Sequence, residues 1–451
     1  GRADYRIRAR LDRLSAEEVE AAGDELPSGG PPFTLDGALA LTYRHGGREP
    51  IEDLHFHLYL NAFANDRSTH LVESGGRLRG RESAEGWGFT ELVAVRLVDG
   101  ERRTDLLPSL RYLQPDGGSP DDRSVFAVRL PEPLAAGGTL TVEVEWRSRL
   151  PRVRRRTGYK DDFLLVAQWF PKLGVWEDGQ GWNCHEFHAR TEFYADYGHY
   201  DVTLDLPGEY RDKVFASGQQ HNAVPSGGRV EVTFLAPSYK DRERTDARGR
   251  TPLVHDFAWT ADPDFVVERG AFVFDEWAER FPEEVQAAEA AFGPDVDLRL
   301  RDVAVTALVQ PEHRTQAARH VEATCAALFF YGLWFGEYPY EHVVVVDPAW
   351  GGGGAGGMEY PTLFTAGTRM FAEPWMHTPE SVTVHEAGHQ FWYGLVGNNE
   401  FEAAWLDEGF NSFTDSEVLA RWLGPRAAST DYSGLPMRGV RLARTGAGTL
   451  G

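Results

Sequence analysis

Apolar and polar residues alternate in short runs through the first 260 residues or so of the chain. Alternation with a period of two is typical of β-strands that bury one face. The runs lie at residues 5–11, 39–43, 54–60, 126–130, 140–146, 200–206 and 230–234. Turn-forming Gly, Pro and Asp residues separate them, for example at 116–120 and 225–228. The pattern predicts an N-terminal antiparallel β saddle or sandwich.

A helical period replaces this alternation after about residue 265. Apolar residues then recur every three or four positions, which predicts helices at 283–292, 311–335, 379–396 and 405–423. Strands are predicted at 342–347 and 358–364, on either side of a glycine-rich loop at 351–357. We therefore predict a multidomain α+β protein with a boundary near Asp262. Residues 1–262 would form the β domain and residues 263–451 a second domain.

The composition narrows the class of protein further. The 451 residues are enough for two or three domains. Lys and Arg number 46 against 69 Asp and Glu, a net charge of −23. We expect no nucleic-acid partner, because nucleic acids are bound through cationic side chains. No stretch approaches the roughly 20 apolar residues of a transmembrane helix, so we expect a soluble chain, cytoplasmic or exported. Two cysteines, Cys184 and Cys325, exclude a disulfide scaffold and a multi-cysteine zinc module.

The strongest chemical signal is the H-E-x-x-H sequence at residues 385–389. On a helix, His385 and His389 lie on one face and can bind one metal ion, with Glu386 close enough to reach a metal-bound water. A third ligand is available in Glu408, at the start of the next predicted helix. The helix is mostly apolar around the motif, which argues against incidental surface histidines. We predict a single zinc ion bound by His385, His389 and Glu408.

Two other segments look like sites but lack the required pattern. Residues 184–188 read C-H-E-F-H, whose histidine spacing does not suit a helical metal motif, and we expect ordinary polar residues there. The glycine run at 351–357 lacks the G-K-[ST] of a phosphate-binding loop. We interpret it as a flexible loop beside a cleft.

Three motifs together resemble those of a known family. Residues 356–360 read G-G-M-E-Y, similar to the family's G-x-M-E-N, and residues 405–410 read W-L-D-E-G-F, similar to its W-L-N-E-G-F. The H-E-x-x-H with Glu408 matches the zinc motif in order and spacing. Over roughly residues 160–420 the chain resembles the zinc aminopeptidases of the aminopeptidase N and leukotriene hydrolase type, which are gluzincins. Tyr360 and Asp407 stand where the family has asparagine.

The resemblance implies an N-terminal β saddle, a thermolysin-like catalytic domain and a C-terminal helical region, of which we expect only the first two here. The chain begins at Gly1 rather than Met, so we expect a processed or cut N-terminus. It ends at Gly451 without a helix-stop pattern, and we expect the second domain to be incomplete there. The family's transition-state tyrosine is expected beyond Gly451.

The resemblance also implies roles for individual residues. Glu386 would transfer the proton from the attacking water to the leaving amine. Glu359 would bind the free α-amino group of the substrate, whose backbone would lie along the edge strand that carries Glu359. Gly357 and Met358 of the same motif would also contact the substrate. Gln168 would help to bind the same amine. Asp407 either orients a metal ligand or is an ordinary residue at the start of a helix.

These observations predict a zinc metallopeptidase, an aminopeptidase that hydrolyses the N-terminal peptide bond of peptides through a zinc-activated water. Its substrate would be a peptide with a free N-terminus. Three alternatives stay open: a gluzincin endopeptidase, a hydrolase of a small lipid epoxide, and a non-catalytic binding module with the same fold. Glu359 argues against the endopeptidase, and the intact zinc motif argues against the binding module. The oligomeric state and the preferred N-terminal residue are left open.

Overall fold

The computed structural model describes residues 1–15, 17–18, 33–75, 77–78, 81–82, 87–153, 155–246, 248–293, 296–367, 372, 377–425, 427, 429–432 and 435–438. The chain divides into two compact units. Unit 1 comprises Gly1–Asp264, Ala349–Ala355 and Asn399–Glu402. Unit 2 comprises Phe265–Pro348, Gly356–Asn398 and Ala403–Gly451. The fold is mixed, with several sheets and most of its helices after residue 265.

Unit 1 is built mainly from strands. In chain order they are β1 (Arg2–Arg13), β2 (Phe33–Arg44), β3 (Ile51–His57), β4 (Arg77–Leu78), β5 (Arg81–Glu82), β6 (Phe89–Asp99), β7 (Arg102–Asp105), β8 (Arg111–Tyr112), β9 (Val125–Leu134), β10 (Thr139–Arg149), β11 (Gly158–Lys160), β12 (Phe163–Val166), β13 (Lys172–Leu173), β14 (Val175–Glu177), β15 (Gly181–Asn183), β16 (Tyr200–Pro207), β17 (Val214–Ala216), β18 (Gln219–Ser226), β19 (Arg229–Ala236) and β20 (Trp259–Ala261). Two short helices, α1 (Thr69–Glu73) and α2 (Tyr239–Arg242), and 3₁₀ turns at Tyr59–Phe63, Leu107–Ser109 and Gly208–Tyr210 complete the described elements before residue 265.

The largest sheet of unit 1 has the strand order β18-β19-β16-β1-β2-β10-β6-β7. Alternate residues of β1 are buried, among them Tyr5, Ile7 and Leu11, as the period-two pattern predicts. The pairing is antiparallel except between β1 and β16, which run parallel with Tyr5 opposite Tyr200. This pair departs from the purely antiparallel sheet that we predicted. Smaller sheets have the orders β11-β12-β20-β17, β13-β3-β9-β8 and β14-β15.

The elements after residue 265 include a four-stranded sheet of the described chain with the order β21-β22-β23-β24. In chain order they are β21 (Val266–Phe272), α3 (Phe274–Arg280), α4 (Pro282–Phe292), β22 (Val303–Val309), α5 (Ala317–Phe335), β23 (His342–Val346), β24 (Leu363–Thr365), α6 (Thr378–Gly388), α7 (Glu400–Ala403), α8 (Trp405–Leu423), β25 (Ser429–Tyr432) and β26 (Leu435–Arg438), with 3₁₀ turns at Pro311–Gln316 and Gly353–Ala355. Strands β22, β23 and β24 are parallel, and β21 is antiparallel to β22. Helix α5 is buried on nearly all sides, as expected for a helix in the core.

Three predicted elements have different bounds in the structure. The run at 54–60 ends as a strand at His57 and continues as the 3₁₀ turn Tyr59–Phe63. The helix predicted at 311–335 begins as a 3₁₀ turn, and its α-helical part is α5. The helix predicted at 379–396 ends at Gly388, because the N–H groups of Gln390 and Phe391 bond to carbonyls three positions back and Tyr393 takes a positive φ of 78°. Apolar spacing alone carries no signal for that turn.

The strand predicted at 358–364 is a hairpin instead. Only Leu363–Thr365 forms a regular strand, which runs parallel to β23. Met358 pairs with Thr365 as an isolated antiparallel bridge, so the chain reverses direction between them. Thr362 has a positive φ of 58°, and the Leu363 N–H donates to the Tyr360 carbonyl at 3.1 Å. Within the described residues, no helix is both long enough and apolar enough to cross a membrane.

Candidate metal and peptidase site

His385 lies on α6, His389 directly follows that helix, and Glu408 lies on α8. A tight contact fixes the two helices together. A Cβ atom added at Gly388 would overlap with the side chain of Asn411 and the ring of Tyr331. Asn411 Nδ2 donates to the His385 carbonyl at 2.7 Å, and Tyr331 Oη donates to Asn411 Oδ1 at 2.8 Å. Since Tyr331 belongs to α5, this contact joins three helices beside His385.

Each histidine of the motif has a carboxylate on its Nδ1 side. His385 Nδ1 lies 2.8 Å from Asp415 Oδ2, and His389 Nδ1 lies 2.5 Å from Asp407 Oδ1. A carboxylate accepts the Nδ1 proton, so both imidazoles present an Nε2 lone pair. The two Nε2 atoms lie 3.2 Å apart. Two lone pairs at this distance repel each other unless a proton or a cation lies between them.

The acidic surroundings favour a positive charge at this point. Burial lowers the pKa of His385, but the hydrogen bonds to Asp415 and Glu408 outweigh burial, and the pKa lies well above its ordinary value. Burial also lowers the pKa of His389, whereas the charge of Glu359 and the hydrogen bond to Asp407 raise it to about 9. Protons and metal ions bind the same nitrogen lone pairs. Surroundings that raise the affinity of these histidines for protons therefore also favour a metal cation.

The position of Glu408 completes a donor set that fits zinc. Its Oε2 atom lies 3.4 Å from His385 Nε2 and 3.8 Å from His389 Nε2. Bonds of 2.0–2.1 Å in a tetrahedron place ligand atoms about 3.3–3.4 Å apart. The separations of 3.2, 3.4 and 3.8 Å are close to this value. The Glu408 side chain is 57% exposed, so the donor set faces solvent on one side.

Glu386 and Glu359 lie next to each other and close to His389. Oxygens of the two carboxylates and a ring nitrogen of His389 are all within 4.8 Å of one another. Both glutamates are buried. Two buried carboxylates this close need a positive charge nearby, which His389 supplies when protonated. The structure therefore brings five of the residues predicted for the site together: His385, Glu386, His389, Glu408 and Glu359.

Gly357 and Met358 hold the segment that precedes Glu359. Gly357 N–H donates to the Thr365 carbonyl at 2.9 Å, and Thr365 N–H donates to the Met358 carbonyl at 2.8 Å. Gly357 has a positive φ of 68°, which glycine adopts without strain. Met358 is buried. Contact of these two residues with a substrate stays a prediction.

Gln168 lies in unit 1, where its side-chain amide forms two hydrogen bonds. Its Oε1 atom accepts a hydrogen bond from Lys172 Nζ at 2.6 Å, and its Nε2 atom donates to Asp256. Lys172 Nζ lies 2.6 Å from Asp256 Oδ1, and all three side chains are buried. The amide of Gln168 thus helps to satisfy a buried ion pair, and its predicted contact with a substrate amine stays a prediction.

The sequence interpretation missed Asp415 and Asn411. Asn411 and Asp415 follow Glu408 on α8 by three and seven positions. A helical period places these positions on one side. Polar residues repeated at that spacing after Glu408 are a signal from which both residues could have been found. Tyr331 gives no such signal, because it contacts Asn411 across 80 positions of sequence.

No protein-family model and no curated protein matches the chain. Among solved structures it is similar to three crystal structures of an M1 zinc metallopeptidase from Deinococcus radiodurans. A point mutant of that protein has 17% sequence identity and a TM-score of 0.48, covering 94% of this chain and 72% of that chain. The protein without the mutation has 17% identity and a TM-score of 0.47, covering 94% and 71%. The mutant bound to a Tyr-Ser-Ala substrate has 18% identity and a TM-score of 0.48, covering 94% and 72%. M1 denotes the aminopeptidase N family, which the sequence motifs resemble.

Proposed function

We propose that the protein is a zinc-dependent aminopeptidase that hydrolyses the N-terminal peptide bond of peptides. The observation that supports this most directly is the donor set of His385, His389 and Glu408. Two Nε2 atoms 3.2 Å apart face an exposed carboxylate oxygen at 3.4 and 3.8 Å. The carboxylates on both Nδ1 atoms leave Nε2 lone pairs that attract a proton or a metal ion.

His385, His389 and Glu408 would hold the zinc ion, and Asp415 and Asp407 would orient the two imidazoles. Zinc bound there supplies Lewis acidity, which polarises a carbonyl group and makes water a stronger acid. The ligands need little rearrangement, since Asn411 on α8 already donates a hydrogen bond to the His385 carbonyl on α6. This preorganisation lowers the cost of binding the ion.

Glu386 is the general base and acid of the proposed reaction. It takes a proton from the attacking water while the water oxygen bonds to the carbonyl carbon of the scissile peptide. The carbon–nitrogen bond then breaks, and the same proton passes from Glu386 to the leaving amine. Its position supports this role, because a carboxylate oxygen of Glu386 lies within 4.8 Å of a ring nitrogen of the proposed zinc ligand His389.

Glu359 is the proposed recognition group for the free α-amine. The N-terminus of a peptide is a cation, and a buried carboxylate beside Glu386 offers it an anion at a fixed distance from the scissile bond. A peptide with an acylated N-terminus presents no cation to this carboxylate, so the charge-assisted hydrogen bond is lost. Recognition of the amine therefore supports an exopeptidase over an endopeptidase.

The test uses aminoacyl-coumarin substrates and their N-acetylated twins, with zinc present and after chelation. We expect chelator-sensitive cleavage of the free-amine substrates alone. The Glu359→Gln variant should then lose most of its kcat/KM for these substrates and keep its zinc content. Cleavage of both sets at equal rates would instead support an endopeptidase. No cleavage of either set by the zinc-loaded protein would support a binding module.

A further inference from the structure

Gln390 joins the end of α6, next to His389, to the segment that carries Glu359. Its Oε1 atom accepts a hydrogen bond from the Thr362 N–H at 2.8 Å, and its Nε2 atom donates to the Tyr360 carbonyl at 3.1 Å. Gln390 directly follows His389 and is buried. The Gln390 side chain thus connects the backbone next to His389, a proposed zinc ligand, with Tyr360, which directly follows Glu359.

The turn that Gln390 holds is a strained one. The Leu363 N–H donates to the Tyr360 carbonyl at 3.1 Å, with Pro361 and Thr362 at the centre of the turn. Thr362 has a φ of 58°, a conformation that such turns usually give to glycine or asparagine and that β-branched residues rarely adopt. Conformations of this kind persist where the surrounding structure fixes them, and they occur often at functional sites. Gln390 binds the N–H of the strained residue itself.

We infer that Gln390 is a positioning residue, whose amide fixes the Glu359 carboxylate relative to His389 and thereby sets the preference for a free α-amine. The inference rests on the proposed function. Only a glutamine side chain offers a donor and an acceptor at this reach. Glutamate keeps the shape but presents an oxygen to the Tyr360 carbonyl, and leucine offers neither hydrogen bond. A shift of the carboxylate by about 1 Å is enough to lower catalytic efficiency by up to about 100-fold.

The test measures binding of leucine hydroxamate and of N-acetyl-leucine hydroxamate to the zinc-loaded protein by calorimetry, together with zinc content. These probes bind without turnover, so the readout does not depend on activity. We compare the wild type with Gln390→Leu and Gln390→Glu. The control is Gln114→Leu in unit 1, which removes a hydrogen bond from Nε2 to the Asp122 carbonyl at 2.9 Å.

We expect the wild type to prefer the free-amine hydroxamate. Gln390→Leu should lower that preference about tenfold or more, with unchanged zinc content and unchanged affinity for the acetylated probe. Gln390→Glu should lower it less, and Gln114→Leu should leave it unchanged. If Gln390→Leu does not fold, Gln390→Glu carries the comparison.

Two results would overturn the inference. One is a Gln390 variant that keeps the full preference. The other is an equal loss of affinity for both probes together with loss of zinc, which indicates a structural role only. In either case the wild type still prefers the free amine, and the proposed function stands. A wild type without any preference overturns the proposed function and the inference together.

Discussion

At the scale of single residues, the surroundings of each carboxylate distinguish its role. Glu408 is more than half exposed, so its oxygens exchange water for a cation at little cost. Asp407 and Asp415 are fully buried against Nδ1 atoms, where a hydrogen bond holds each of them in place. Glu359 and Glu386 are buried without being Nδ1 partners of the histidines. Substitutions at these three kinds of position should therefore have different effects.

The Glu386→Gln variant tests the proposed proton transfer. Glutamine has the same shape as glutamate but cannot accept the proton, so we expect kcat on aminoacyl-coumarins to fall by about 100-fold or more. Zinc content, measured by atomic absorption, should be unchanged. The control is Glu283→Gln at the exposed start of α4, which should alter neither quantity. Full activity of the Glu386→Gln variant would contradict the assignment.

Asp415→Asn tests the orientation of His385. The amide cannot accept the Nδ1 proton as strongly as the carboxylate, so the Nε2 atom becomes a weaker ligand. We expect the affinity for zinc to fall by about 10- to 100-fold, measured by competition with a chromophoric chelator. Glu417→Gln on the same helix removes a carboxylate that pairs with Arg421 at 3.9 Å, and it should bind zinc like the wild type. Equal affinities of all three proteins would show that Asp415 has no influence on the ligand.

At the scale of elements, α8 buries Val418, Leu419 and Ala420 in its later turns, but its earlier turns reverse the usual pattern of an amphipathic helix. Its buried face carries Asp407, Asn411, Thr414 and Asp415, whereas Trp405 and Phe413 are 66% and 71% exposed. The sequence predicts this helix with its bounds but not which side faces inward, because apolar periodicity assigns the core to the apolar face. Hydrogen bonds to the residues of α6 compensate for burial of the polar face.

The contact between α6 and α8 depends on Gly388, and Gly388→Ala tests it. A methyl group would overlap with Asn411 and Tyr331, so we expect the metal-free protein to lose about 1–3 kcal/mol of stability in urea denaturation. The matched control is Gly409→Ala on α8, where an added Cβ meets nothing within 4 Å. There alanine should stabilise the helix by up to about 1 kcal/mol. Effects of equal sign at the two glycines would contradict the packing argument.

At the scale of the whole molecule, the sequence predicts features carried by neighbouring positions and misses those carried by distant ones. The zinc motif is readable because His385 and His389 are one helical turn apart. The hairpin after Glu359 could not be predicted from the sequence. The turn at Thr362 is held by Gln390, which is 28 positions away. The parallel pairing of β1 with β16 is likewise invisible to a pattern read along one strand.

A second group of histidines and carboxylates, in unit 1, is also assembled from distant positions. His185 Nδ1 and His188 Nε2 lie 2.6 and 3.0 Å from the two oxygens of Asp116, which are 69 and 72 positions away. His188 Nδ1 lies 2.7 Å from Glu73 Oε1, across 115 positions. The sequence motif at 184–188 predicts ordinary polar residues, and these contacts link its histidines to two other parts of unit 1.

This network makes the stability of the protein depend on pH. The hydrogen bond to Asp116 raises the pKa of His188, and burial lowers it. A second hydrogen bond, to Glu73, raises it further, so the pKa is about 9. For Asp116, burial raises the pKa, but the hydrogen bonds from His185 and His188 outweigh burial and hold it below its ordinary value. An unfolded histidine has a pKa of about 6.5. Protonated His188 therefore stabilises the fold fully below about pH 6.5, and this contribution disappears as the pH rises through about 9.

We expect His188→Gln to lower the free energy of unfolding by about 1 kcal/mol at pH 6 and by much less at pH 10. Urea denaturation of the zinc-free protein at both pH values measures the difference. The difference in the free energy of unfolding between the variant and the wild type is taken at each pH. The titration of His385 and His389 is common to both proteins and cancels in this difference. His221→Gln, on the exposed strand β18, is the matched control and should cost little at either pH. A loss that is equal at pH 6 and pH 10 would mean that His188 contributes through packing alone, because only the charged imidazole gains from Asp116 and Glu73 together.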